Sequence, residues 1–182
     1  MEMLLDGLIS LVAIGVLVAY AWSVKAHFFS EVMGPGARAI AAMVVITAVV
    51  YFYLTWFQSQ PPLAALAGLV VMLAGAALFA VTIRASRAAR LRFVFDDAHP
   101  HTLLNEGPYR YVRHPFYVSY CLFWMGWALS TWSAWALINI AIMLVLYVRA
   151  AQVEERKFAQ SPLGADYAAY RGRVGFFIPR LG

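Results

Sequence analysis

The sequence predicts an all-α, polytopic membrane protein of five transmembrane helices. The last two form a tight hairpin, the N-terminus lies outside and the C-terminus lies in the cytoplasm. Three observations carry this reading. First, 63% of the 182 residues are hydrophobic and 13% are charged, whereas a soluble domain runs at about 45–50% apolar and about 25% charged. Second, the apolar residues gather in four stretches, 4–22, 37–57, 63–83 and 116–148. Third, all 14 lysines and arginines fall in linkers that five crossings place on one side of the bilayer.

Each element follows from the reach of a helix. At 1.5 Å per residue, about 20 residues cross a hydrocarbon core of about 30 Å, so the first three stretches match one crossing each. Asp6 lies inside the first, one turn from its start, where it reaches the interface. The first stretch begins with Glu2 and Asp6 rather than a basic region, and is therefore expected to be a permanent helix and not a signal peptide. The fourth stretch would reach about 50 Å as a single helix. Ser130, Thr131 and Ser133 interrupt it, which predicts two helices at about 112–129 and 132–152.

Charge tests that division. Lys25 and Arg38 flank the first turn. Arg84, Arg87, Arg90, Arg92, Arg110 and Arg113 occupy the third connection, and Arg149, Arg156, Lys157, Arg171, Arg173 and Arg180 follow the last helix. The N-terminus and residues 58–62 and 130–133 carry no Lys or Arg. The positive-inside rule then sets the orientation, whereas four crossings would split the basic blocks between two faces. The expected location is a bacterial or archaeal inner membrane, with residues 1–182 as a single membrane domain. The formal charge of +5 suits anionic lipid head groups and calls for no nucleic-acid partner. Cys121, the only cysteine, has no internal disulfide partner and is expected to pack in its helix.

Polar chemistry concentrates in two places. The third connection ends in Leu103-Leu104-Asn105-Glu106-Gly107-Pro108-Tyr109-Arg110-Tyr111-Val112-Arg113-His114-Pro115-Phe116-Tyr117. Gly107-Pro108 is a turn, with Pro108 in the first turn of a short helix, and Pro115 starts the fourth long helix. Arg110, Arg113 and His114 thus gather at a helix N-terminus, a place that favours an anion. The second concentration, Arg149 to Phe158, extends the last helix out of the hydrocarbon and carries Glu154 and Glu155. Both end on the basic side. A cavity between them offers cations for a carboxylate and a carboxylate for an ammonium, the pair carried by an amino-acid head group.

At these residues the chain resembles the integral-membrane methyltransferases of the isoprenylcysteine carboxyl methyltransferase and phospholipid methyltransferase group. The resemblance rests on Gly107 to Tyr117, on Glu154-Glu155, and on Gly164-Ala165-Asp166-Tyr167-Ala168-Ala169-Tyr170 with Val174 and Pro179 beyond. It covers roughly residues 80–180, the expected cofactor-binding core, and leaves residues 1–62 as generic helices. It implies that the protein binds S-adenosyl-L-methionine without a Rossmann domain. His114 and Tyr117 would hold the cofactor, Arg113 would organise the mouth, and Glu155, with Glu154 beside it, would meet the amino-acid end. The backbone near Leu104 and Gly107 would line the adenosine. Arg173 would approach the acceptor, and Arg173 and Glu154 are the catalytic candidates. Ser119 and Gly175 depart from the group's frequent glycine and proline.

A sulfonium methyl brings its own electrophilicity, so the protein must align the acceptor and exclude water. The expected acceptor is lipophilic: a phospholipid amine, a prenylcysteine-like carboxylate or a hydrophobic thiol. An NADPH-dependent sterol or steroid reductase is the nearest rival, and a non-enzymatic membrane scaffold is another. A di-iron hydroxylase fits poorly, because His27, His99, His101 and His114 are the only histidines. His99 and His101 with Asp96 or Asp97 could clasp a metal, but nearby histidines in a polar loop are more often solvent-exposed, and no metal site is expected.

Overall fold

The computed structural model describes residues 2–26, 34–87 and 102–180. Their long elements are all helical: α1 (Glu2–Ala26), α2 (Pro35–Phe57), α3 (Pro62–Ser86), α4 (Pro115–Thr131), α5 (Ala134–Ala159) and α6 (Gly164–Arg173). A one-turn 3-10 helix, Gly107–Arg110, precedes α4. Prolines open α2, α3 and α4, at Pro35, Pro62 and Pro115. A first-turn residue has no intrahelical N–H bond to lose, and the fixed φ of proline already suits a helix.

Four helices are long and apolar enough to cross a membrane: Glu2–Val24, Pro35–Phe57, Pro62–Ser86 and Ala134–Ala159. α4 has 17 residues, about 26 Å of rise. The long apolar stretch is divided as expected, at Ser133, but the helix before the break runs two residues past its expected end at 129. Ser130 and Thr131 lie inside α4, where their hydroxyls donate back to the carbonyls of Trp127 (2.7 Å) and Ala128 (2.8 Å). The break is Trp132-Ser133, with Trp132 in the left-handed region at φ 48°. A hydroxyl that bonds within its own helix does not end it, which is why composition misplaced the boundary. Arg90, Arg92, Asp96, Asp97, His99, His101 and His27 lie outside the described residues, and the metal clasp with them.

α4 is the centre of the bundle. It packs most closely on α3, through glycines. A Cβ on Gly126 would stand 2.5 Å from the Met72 backbone nitrogen and 2.6 Å from the Gly68 carbonyl oxygen, and one on Gly75 would stand 2.8 Å from the Phe123 nitrogen. Residue 68 meets 126–130 while 75 meets 119–123, so α3 and α4 run antiparallel. Small residues at a helix seam let backbones approach and replace the hydrophobic drive that lipid does not supply. Around the seam Trp124, Trp127, Tyr51 and Phe123 are fully buried. The two indoles stack at 5.9 Å, and Tyr51 meets Trp127 edge-on at 5.5 Å.

Several polar atoms inside this core are paired, as an apolar medium demands, while the Thr47 hydroxyl is buried without a hydrogen-bond partner. Tyr51 donates to the Ala136 carbonyl (2.9 Å), Trp124 to the Tyr147 hydroxyl (3.1 Å) and Trp127 to Thr55 (3.2 Å). Gln60, before α3, donates to Asp6 (2.6 Å). The outer faces are as apolar as the inside: Leu4, Leu11, Val49, Leu63, Val70, Leu137 and Val145 are exposed, the pattern of a surface whose solvent is hydrocarbon.

Candidate functional site

The site is assembled where the end of α3, the start of α4 and the end of α5 meet. Gly107 takes φ 55°, a conformation that suits glycine, and it brings the turn so close to α3 that an added Cβ would lie 2.9 Å from the Ala85 Cβ. The 3-10 turn that follows buries Pro108 and Tyr109. The chain after α6 returns to this turn. Val112 and Gly175 form a parallel bridge, the Arg113 N–H donates to the Gly175 carbonyl (2.8 Å), and the Tyr170 hydroxyl donates to the Tyr109 carbonyl (2.7 Å). Residues 109–113 are thereby held between α3 and the C-terminal segment.

Two side chains at the mouth of α4 then meet two carboxylates from α5. Arg113 Nε lies 2.7 Å from Glu155 Oε1, and Arg113 Nη1 donates to the Val174 carbonyl at 2.5 Å. His114 Nε2 lies 3.2 Å from the same Glu155 oxygen, and His114 Nδ1 lies 3.6 Å from Glu154 Oε2. Arg171 of α6 approaches the second Glu155 oxygen at 3.9 Å. The side chains of Arg113, His114 and Glu155 are 9%, 4% and 12% exposed, whereas Glu154 is 36% exposed. Glu155 is thus the buried hub, and Glu154 keeps an open edge.

The electrostatics follow from the geometry. Burial works against a charged imidazole, but hydrogen bonds and charge from Glu154 and Glu155 outweigh it, so His114 is raised above its usual value. Both ring nitrogens face carboxylates, an arrangement in which both act as donors. Because the folded-state value is raised, the stabilisation is complete below the unfolded value of about 6.5 and is lost as pH rises through the folded one. His114→Gln is therefore expected to destabilise by about 1.5–3 kcal/mol near pH 6, with the gap to the parent closing in alkali. Thermal unfolding of both proteins across pH checks this; a gap that widens above pH 7 contradicts it. Burial also pushes the Tyr170 phenol up to about 12. Burial, followed by the charge of Glu155 and hydrogen bonding to it, raises the Tyr167 phenol above its usual value.

Aromatic rings wall the cluster. Phe176 meets the His114 ring at 5.0 Å and carries the Arg113 guanidinium 5.5 Å from its centroid. Tyr117 lies 5.9 Å from His114, 5.8 Å from Tyr147 and 6.3 Å from Phe177.

Of the residues expected from sequence, Arg113, His114, Tyr117, Glu154 and Glu155 come together. Gly107 stands against α3, and Leu104 is half-buried in a segment without regular secondary structure. Arg173 is exposed at the end of α6 and makes no polar contact with the cluster among the described residues. Sequence reasoning missed Arg171, Phe176 and Phe177. A signal for the first existed: Tyr167, Tyr170, Arg171 and Val174 recur at i, i+3, i+4 and i+7, one face of a helix.

A cation-and-carboxylate cluster beside aromatic faces is a donor set for a zwitterion. Arg113 and His114 suit a carboxylate, and the open Glu154 suits an ammonium. Aromatic faces additionally attract a sulfonium-like cation. A family model described as phospholipid methyltransferase matches residues 63–165, from the start of α3 into α6. No curated protein and no solved structure matches the chain.

Proposed function

The chain belongs to the phospholipid methyltransferase family, and on that footing we propose that it transfers the methyl group of S-adenosylmethionine to a lipophilic acceptor at the cytoplasmic face. The observation that carries the reading is the junction of Arg113 and His114 with Glu154 and Glu155, 41 residues apart in the case of His114 and Glu155. In this reading residues 80–180 are the working core of a five-crossing bundle. α4 and α5 form the hairpin, and the basic rim faces the cytoplasm.

When bound, S-adenosylmethionine supplies an activated methyl on sulfur; the protein supplies the rest. Glu155 fixes Arg113 and His114, and Glu154 accepts from the ammonium with its open oxygen. Arg113 and His114 present positive charge to the carboxylate end. Tyr117, Phe176 and Phe177 keep water from the reacting atoms, and the backbone at Leu104 and Gly107 borders the adenosine. Arg173, exposed on α6, stands on the acceptor side. The acceptor is an amine, a carboxylate or a thiol on a hydrophobic molecule.

Incubation of the purified protein with methyl-labelled S-adenosylmethionine, membrane lipids and small hydrophobic thiols tests the reading. Label is expected in the lipid extract, and Glu154→Gln is expected to weaken cofactor binding by about tenfold, the loss of one charge-assisted hydrogen bond. Binding of NADPH without binding of S-adenosylmethionine overturns the assignment. Label found only in a volatile sulfide overturns the lipid acceptor.

A further inference from the structure

Away from the cluster, the described residues leave a groove of about 540 Å³ between α1 and α3, within the about 300–1,000 Å³ range of ligand clefts. Gly15, Ala19 and Trp22 of α1 face Ala76, Phe79 and Ala80 of α3 across it, and Arg84 and Arg87 close one end. Among the described residues no acidic side chain lines it. From Ala76 to Arg87 the groove spans about 16 Å of helix rise, close to half of a hydrocarbon core of about 30 Å. It is therefore as deep as one leaflet, apolar toward the bilayer centre and doubly cationic where head-group phosphates lie.

Its floor separates it from the cluster. Phe79 meets Tyr20 at 4.7 Å and Phe116 at 5.7 Å, and Tyr20 meets Tyr120 at 4.6 Å. Tyr117 stands behind Tyr120 at 6.2 Å, and only then comes the His114 ring at 5.9 Å from Tyr117. Between the groove's Phe79 and the His114 ring thus stand the rings of Tyr120 and Tyr117.

We propose that this groove holds one anionic glycerophospholipid of the adjoining leaflet as an accessory ligand rather than an acceptor. One acyl chain lies between α1 and α3, and the phosphate is held by Arg84 and Arg87. Two guanidiniums three residues apart on a helix flank the same position and bind phosphate with charge-assisted hydrogen bonds. An anionic head group matches them better than a zwitterionic one, whose ammonium they repel.

Native mass spectrometry of the purified full-length protein, given equal phosphatidylglycerol and phosphatidylcholine in detergent, reads the retained lipid directly. The parent protein is expected to keep one phosphatidylglycerol, and the double variant Arg84→Gln/Arg87→Gln to keep at least about tenfold less. Gly15→Leu is the second probe: a Cβ there meets nothing within 4 Å, so the new side chain enters the groove without displacing backbone, and it is expected to exclude the lipid. Equal retention by all three proteins, phosphatidylcholine retained as well as phosphatidylglycerol, or a lipid-free dimer of the chain would each overturn the proposal. The measurement involves no S-adenosylmethionine, so its outcome is independent of the methyl-transfer reading.

Discussion

Glu155→Gln is expected to lower stability by about 3–5 kcal/mol, the usual consequence of removing one partner of a buried ion pair. The substitution keeps the shape of the side chain but leaves the Arg113 guanidinium, 9% exposed, without its closest countercharge. It also removes the nearer of the two carboxylates that hold the His114 ring. Since Arg113 also joins Val174 and Gly175, the C-terminal segment should loosen with it. Denaturant unfolding gives the first effect, and faster proteolysis after Arg171, Arg173 or Arg180 gives the second. The double variant Glu155→Gln/Arg113→Gln should be less damaged than the two single losses added together, because each partner alone costs the other its pairing. Strict additivity, or a Glu155→Gln protein within about 0.5 kcal/mol of the parent, would show that this oxygen is not the hub of the cluster.

The second large effect concerns the seam. Gly126→Val places a branched side chain where a Cβ alone would stand 2.5 Å from the Met72 nitrogen and 2.6 Å from the Gly68 oxygen. Both neighbours are backbone, so neither moves without separating α3 from α4. Overpacking of well-packed interiors costs about 1–3 kcal/mol and at times more, and a backbone seam belongs at or above the top of that range. The expected result is a protein that extracts from membranes largely aggregated, or that melts well below the parent. Gly172→Ala is the control. Its Cβ would meet nothing within 4 Å, and replacing glycine in a helix should be neutral or stabilising by up to about 1 kcal/mol. Similar melting of Gly126→Val and the parent would show that the two helices do not touch at Gly126.

Much of the site was legible before any coordinates, and the reasons differ by residue. Pro115 and the Gly107-Pro108 turn announce their positions because their backbone preferences are local. Arg113 and His114 follow, since they immediately precede a helix-starting proline. Glu154 and Glu155 were legible as polar residues extending an apolar helix. Phe176 and Phe177 were not, because two phenylalanines in a short tail carry no periodicity. Arg171 and Arg173 were confused for a geometric reason. Two positions on a helix lie about 200° apart, so only one of them turns toward Glu155, and the choice depends on how α6 docks through Tyr167 and Tyr170. The division of the 116–148 stretch was legible as a fact but not in register, because Ser130 and Thr131 bond to their own helix.

The sequence by itself determined that this is an all-α membrane chain with its cations gathered in alternate connections. Hydrocarbon tolerates only long apolar helices whose backbone bonds are internal, and that constraint is written residue by residue. It also placed the candidate site side chains on their elements. Only the tertiary structure decided which partners share an oxygen: that Glu155 is buried between Arg113 and His114 while Glu154 stays half open, and that glycines 68, 75 and 126 are a seam rather than loose helix positions. Those outcomes depend on the docking of surfaces far apart in the chain, where a distance of a few tenths of an ångström separates a hydrogen bond or a close packing from nothing, and no local pattern of residues encodes such a distance.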